Sequence, residues 1–307
     1  MLESMYKFMK VGLVHSMAYP ETSKGEGPIL KTLEEIAEDD FFTAVEVTHI
    51  KNTKVKEKVR EVLQTAGLVV SYGAQPLLLS NNLDLNSPDE NHRKKAVTKM
   101  KEGVDEAYEM GAIEVAILSG KDPGKGKRQK TIELLVDSIN QICEYAKSKG
   151  EIKVILEIFD QTIDKKCLIG PTNYAREVAE KVKKEHSNFG LMVDLSHLPL
   201  LNETPTQAIV PIKDFLVHAH IGNCVLKDKN HPAYGDQHPR FGIPGGENGV
   251  DEVVAFLKVL LDVGFLNPGN PPIVSFEVKP MVGERSKTLI ANAKRTLREA
   301  WIRIEGD

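Results

Sequence analysis

The feature that most constrains this chain is an alternation. Short apolar runs rich in β-branched residues recur along it, separated by longer charged stretches. The runs are 11–14, 44–47, 68–72, 113–118, 154–158, 191–195, 215–221 and 273–278. Between them, residues 91–110 place Val97, Met100, Val104, Ala107 and Met110 at the three-to-four spacing of one helix face. Segments 131–149 and 250–263 read the same way. A strand that follows a crossover helix runs parallel to the strand before it. Eight such units in 307 residues predict an α/β chain forming a single (β/α)8 TIM barrel rather than an open doubly wound sheet. No GxGxxG follows the first run, which argues against a dinucleotide-binding domain. The expected organisation is one barrel domain over 1–307, with 1–9 as a short N-terminal extension.

Helix boundaries are also written into the chain. Ser87-Pro88-Asp89-Glu90 predicts a serine cap with proline at the first helical position, and Thr204-Pro205-Thr206-Gln207 repeats the device with glutamine. Gly111 and Gly264 stand where helices should stop. The longest irregular stretch, 222–249, is rich in Gly, Pro, Asn and His. A loop of that length in a compact domain is usually functional, so it is read as a lid or pocket wall.

Composition excludes several function classes. A formal net charge of −4 gives no basic face for nucleic acid or anionic membrane. No apolar run is long enough to span a bilayer, and the first residues are too polar for a signal-peptide core. Cys143, Cys167 and Cys224 are odd in number and widely spaced, which fits a reducing compartment and inert packing roles. The expected location is the cytoplasm.

In a barrel of this kind, polar residues at the C-terminal strand ends share one mouth. The fifth run ends at Glu157, and the sixth at Asp194 with His197 three residues on. The seventh carries His218 and His220, and the eighth leads to Glu277 and Lys279. Any one of these can cap a helix or pair with a lysine. Burying a carboxylate or imidazole costs several kcal/mol unless it is paired or metal-bound, and four consecutive strands carry that cost together. Three carboxylates and an imidazole suit one hard divalent cation: Mn²⁺ first, then Mg²⁺ or Co²⁺, with Zn²⁺ compatible but without a cysteine to help. Open coordination positions would take two substrate oxygens. At the earlier strand ends, His15, Glu46, His49 and Gln75 are read as packing or surface residues rather than as part of the mouth.

The runs LEIFD (156–160), VDLSH (193–197), HAHIGN (218–223) and SFEVKP (275–280) resemble the xylose-isomerase-like TIM-barrel superfamily, which includes sugar isomerases and ketose 3-epimerases. The resemblance implies metal ligation by Glu157, Asp194, His220 and Glu277. It also implies an acid–base pair of Glu157 and Glu277 that moves a proton beside a carbonyl through an enediolate. His197, Arg240 and Lys279 are the implied substrate-binding residues, and the implied substrate is a small sugar or sugar derivative. Ketose 3-epimerases carry an arginine where this chain has Leu226 and a second glutamate where it has Ile163. Asp160, Asp164, His231, His238 and Arg240 are candidates to replace those contacts. The departures leave a second expectation, a metal-dependent lyase subunit that cleaves 3-oxo-C-glycosides with a small partner subunit. The isomerase reading carries the expectation of a homo-oligomer. A DNA-repair endonuclease of the same fold fits poorly, because segments 72–75 and 118–120 lack the histidines that family adds.

Overall fold

Parallel strands covered on both faces need nearly continuous apolar sequence, and the runs provide it. A computed structural model of the chain describes residues 3–306. Its strands are β1 (Lys10–Leu13), β2 (Ala44–Val47), β3 (Val69–Gly73), β4 (Glu114–Leu118), β5 (Lys153–Glu157), β6 (Phe189–Asp194), β7 (Leu216–Ile221) and β8 (Ile273–Phe276). Among the described residues these eight form one sheet in the order β1-β8-β7-β6-β5-β4-β3-β2, every ladder parallel. The two ends of that order meet. Thr43 N–H donates to Val11 O at 2.9 Å, and Val14 bridges Glu46 in parallel. The sheet is therefore the wall of a (β/α)8 barrel, with helices around it.

Residues two apart on a strand face the same way, which divides the apolar residues into two sets. Ala116, Ile155 and Met192 form a small cluster of their own inside the barrel. The other face of the strands joins the helices in one continuous core. Met5 and Met9 are buried in that core, and Trp301 Nε1–H donates to Glu3 O at 2.9 Å. Of the expected extension 1–9, residues 1 and 2 lie outside the described part, and the rest packs onto the barrel.

The helices begin and end close to the expected places. The helix expected over 91–110 spans Glu90–Glu109, but its cap is Asp89, whose carboxylate accepts from Asn91 and His92 N–H at 2.9 and 3.2 Å. Ser87 instead accepts from Asp89 N–H at 3.2 Å. The Asp89 carboxylate, two places nearer the helix than Ser87, also meets the positive end of its dipole. Thr204 forms the expected capping box with Gln207 over Pro205–Ile209. Helix Arg128–Lys149 begins three residues before the expected start at 131, and Val250–Asp262 matches its expected span closely. Gly111 and Gly264 take φ of 71° and 76° just past two helix ends. Among the described residues, no helix is long and apolar enough to cross a membrane. All three cysteines are buried, and burial pushes the Cys143 and Cys167 thiols up to about 12.

Candidate metal centre and active site

The alternation that sets the barrel interior also sets the mouth. Ile155, Met192 and His218 point inward, so Glu157, Asp194 and His220, two residues on, do the same. Ladder register puts Asp194 beside His220. Glu277 follows β8 directly and is held there by its N–H, which donates to Ile221 O at 3.1 Å. One donor atom from each of Glu157, Asp194, His220 and Glu277 lies within 4.8 Å of the others. Two strands, β6 and β7, lie between those of the two glutamates around the wall, so they reach the cluster from different sides.

Each donor is oriented by a neighbour. Ser196 donates its N–H to Asp194 Oδ1 at 2.8 Å and its hydroxyl to Oδ2 at 2.6 Å. Gln75 Nε2 donates to Glu157 Oε2 at 2.6 Å. His220 Nδ1 lies 2.7 Å from Glu277 Oε2, and its Nε2 lies 2.8 Å from Glu46 Oε1. Glu46 is also 3.0 Å from His218 Nε2, while His218 Nδ1 is 2.6 Å from Glu114 Oε1. Acid and imidazole thus alternate through the barrel interior from Glu114 to Glu277. Burial would raise the Glu46 carboxyl, yet His220 and His218 hold it well below the usual range. An ionised carboxylate only accepts hydrogen bonds, so Glu46 would keep a proton on His220 Nε2 when Nδ1, which faces Glu277 and the cluster, gives up its own proton to bind a cation.

The crowded carboxylates do not balance one another. Burial, together with the charge of Glu277, pushes Glu157 up to about 8. Burial acts on Glu277 too, but His238 and His220 override it and draw that carboxyl down. Glu157 Oε1 is buried and has no hydrogen-bond partner. An orphaned carboxylate oxygen beside two further carboxylates and an imidazole nitrogen fits a divalent cation, which would supply the missing partner and the missing positive charge.

The loop 222–249 forms part of this wall. Asn223 Oδ1 accepts from Cys224 and Asn248 N–H at 2.9 and 2.7 Å. Asn248 Nδ2 donates to Leu195 O and Gly222 O at 3.1 and 3.0 Å. Gly222 permits the close approach, since a Cβ there would meet Glu277 O at 2.8 Å and His238 Nδ1 at 3.1 Å. The loop thereby delivers Asp236 and His238. Asp236 Oδ1 lies 3.0 Å from His197 Nε2 and 2.8 Å from His238 Nε2, and its Oδ2 accepts from Lys165 Nζ at 2.8 Å. His197 Nδ1 faces Ile158 O at 2.8 Å, and its ring packs on Phe159 at 4.7 Å between centroids. Asp194, His197 and His238 form another close group of donors, as do Glu46, His218 and His220.

A cavity of about 130 Å³ opens onto the cluster, walled by Met17, Thr48, Gln75, Phe159, Lys165 and His238 among others. The sequence-predicted residues distribute unevenly around it. The four expected ligands converge, and His197 stands against them. Arg240 instead donates from Nε to Glu284 at 3.0 Å and lines a separate cavity with Arg285 and Arg295. Lys279 N–H donates to His238 O at 2.7 Å, and its side chain does not line the central cavity. Among the candidates to replace the missing epimerase contacts, His238 lines the cavity. Asp160 accepts from the N–H groups of Ile163, Asp164 and Lys165, and Asp164 accepts from Asp236 N–H at 3.2 Å, so both shape the wall. His231 caps its own loop by accepting from Ala233 N–H at 3.0 Å.

Two residues assigned to packing belong to the mouth, Glu46 and Gln75. A glutamate inside the four-residue apolar strand AVEV was the available signal for Glu46. His15 and His49 fit the packing assignment: His15 is buried against Thr32 Oγ1 at 2.7 Å, and His49 pairs with Glu106 at 2.6 Å. Asp236 and Lys165 carried no sequence signal, because only the folded loops bring them to the strand ends.

Known structures share this architecture. L-ribulose 3-epimerase superposes with a TM-score of 0.73 at 16% identity, over 97% of this chain and 97% of that one. The IolI protein with a bound zinc atom gives 0.72 at 17%, over 96% and 99%. The 3-keto-D-glucoside 4-epimerase YcjR from E. coli gives 0.64 at 17%, over 96% and 99%. No curated protein sequence is a significant match. The sequence itself matches the xylose isomerase-like TIM barrel family across residues 33–299, most of the chain. With that match and the eight-stranded parallel barrel, the protein belongs to the xylose isomerase-like TIM barrel family.

Proposed function

We propose that the protein is a divalent-metal-dependent sugar isomerase or epimerase. The observation that carries this reading is the convergence of Glu157, Asp194, His220 and Glu277 from four consecutive strands, with Glu157 Oε1 left without a partner. The sugar epimerases among its structural neighbours support the choice of substrate class. The same four residues would hold one cation, with Mn²⁺ the first choice for so oxygen-rich a set. Bound there, the cation supplies Lewis acidity that polarises a sugar carbonyl and stabilises negative charge on its oxygen.

The chain's own residues do the rest. Glu157 and Glu277 are the acid–base pair, and their environments push their proton affinities apart, as such a pair requires. One carboxylate takes the proton from the carbon beside the carbonyl, leaving an enediolate. Return from the other side to the same carbon inverts that centre, whereas return to the neighbouring carbon interconverts aldose and ketose. His197 is fixed at both ring nitrogens, by Ile158 O and Asp236, and so acts as a positioning residue for the wall. Gln75, Lys165 and His238 line the cavity and offer the polar contacts to sugar oxygens. Arg240 and Lys279, which stand outside it, would act only on parts of a substrate that extend beyond the mouth. The test is solvent exchange: Mn²⁺-loaded protein in D₂O should place deuterium on carbon in a panel of ketoses and 3-oxo-glycosides. Absence of exchange across the whole panel overturns the reading.

A further inference from the structure

Beside the central cavity lies a larger one of about 410 Å³, and Leu79 and Lys165 line both. It is built from the segments that follow β3, β4 and β5. One side is apolar, formed by Leu78, Leu83 and Leu118, with Leu79 projecting at 49% exposure. The other side presents a carboxylate, an imidazole and an ammonium group from Asp84, His92 and Lys121.

That polar side is held in shape. Asn86 Oδ1 accepts from Gly120 N–H at 2.5 Å, and its Nδ2 donates to Lys121 O at 3.1 Å, tying 84–87 to 119–121. Asp84 Oδ1 accepts from Asn86 N–H at 2.7 Å. A Cβ at Gly120 would lie 1.7 Å from the same oxygen, so glycine is what lets the carboxylate seat against the end of β4. Lys121 Nζ in turn donates to Lys165 O at 2.6 Å.

A leucine face opposite a rim of hydrogen-bonding groups matches a pyranose ring, which has apolar C–H faces and a girdle of hydroxyls. The central cavity has room for little more than one reacting unit, whereas the adjoining one is about three times larger. We propose that the substrate is a glycoside rather than a free monosaccharide. The reacting sugar occupies the central cavity, the linkage passes between Leu79 and Lys165, and the second ring rests on the leucines with its hydroxyls toward Asp84 and His92. This rests on the metal-dependent sugar reading of the central site.

The test is calorimetric titration of the Mn²⁺-loaded full chain with D-fructose and with turanose, maltulose and isomaltulose, each a fructose carrying a glucosyl ring. At least one glucosyl-fructose should bind about tenfold more tightly than fructose, the effect of roughly one well-placed cluster of contacts. His92→Trp, which fills the second cavity, and Asp84→Asn, which keeps its shape, should each abolish that gain and leave fructose affinity unchanged. Fructose binding with no gain for any glucosyl-fructose overturns the proposal and leaves the central site standing. Variants that weaken both kinds of sugar alike also overturn it. A protein that holds Mn²⁺ but binds none of the four sugars overturns this proposal, while the reading of the central site stands or falls on the exchange panel of ketoses and 3-oxo-glycosides.

Discussion

Glu157 meets two opposed demands: it is buried among other carboxylates, and its Oε1 has no partner. Replacing it with glutamine keeps the shape and the contact with Gln75 but removes both the charge and the base. Glu157→Gln should lower solvent exchange by about 10²–10⁴-fold, read by mass spectrometry of the sugar product. Glu46 works one step away, by fixing the proton on His220 Nε2. Glu46→Gln should weaken Mn²⁺ binding by about 10–100-fold in a competition titration, and unchanged affinity would refute the tautomer argument. The pH dependence follows from the sign of the Glu157 shift. Its proton affinity in the folded, metal-free protein is raised to about 8. It therefore contributes stability that is present below the ordinary carboxylate range and lost as pH rises through about 8. Cation binding needs the ionised form, so it gains as the proton leaves. The rise in Tm caused by excess Mn²⁺ should be larger at pH 8 than at pH 6, and an equal or smaller rise would sink the assignment.

Elements were more legible than contacts. Strand spans could be read because burial on both faces leaves an unbroken apolar run, and each run ends where the chain must turn polar at the mouth. The carboxylates at the ends of β5, β6 and β8 were visible for the same reason. The wall contributed by 222–249 was visible only as length. Its register over the site depends on Asn223 and Asn248, whose amides bond backbone groups from three separate segments, and nothing in local spacing announces such bonds. The cap at Asp89 was misplaced by two residues because serine before proline and aspartate before glutamate satisfy the same rule. If Asn248 pins the loop, Asn248→Ala leaves buried carbonyls of Leu195 and Gly222 short of donors. That should cost about 1–3 kcal/mol of stability and open 222–249 to limited proteolysis. Cleavage no faster than in the wild type would show that the loop is held elsewhere.

At the scale of the whole molecule, the barrel and the cation site are separable. The ladders between neighbouring strands are backbone bonds, and neither they, nor the bridge from Val14 to Glu46, nor the core reaching from Met5 to Trp301 uses the side chains of the four donors. The donors sit at strand ends, where the ladder has already fixed the backbone. A structural zinc site in a small domain behaves differently, because there the metal supplies the folding energy. Treatment with a chelator should therefore leave the far-UV circular dichroism of this protein unchanged while abolishing exchange activity. The stability lost should be that of ligand release alone, about 2.7 kcal/mol when Mn²⁺ had been present at a hundred times its Kd. In a chain of this size that is a fall in Tm of several degrees, roughly 2 °C or more per kcal/mol. Re-addition of Mn²⁺ should restore both Tm and activity without a refolding lag. Loss of secondary structure on chelation would mean that the cluster of carboxylates holds the barrel together, and the site could not then be regarded as mounted on a finished scaffold.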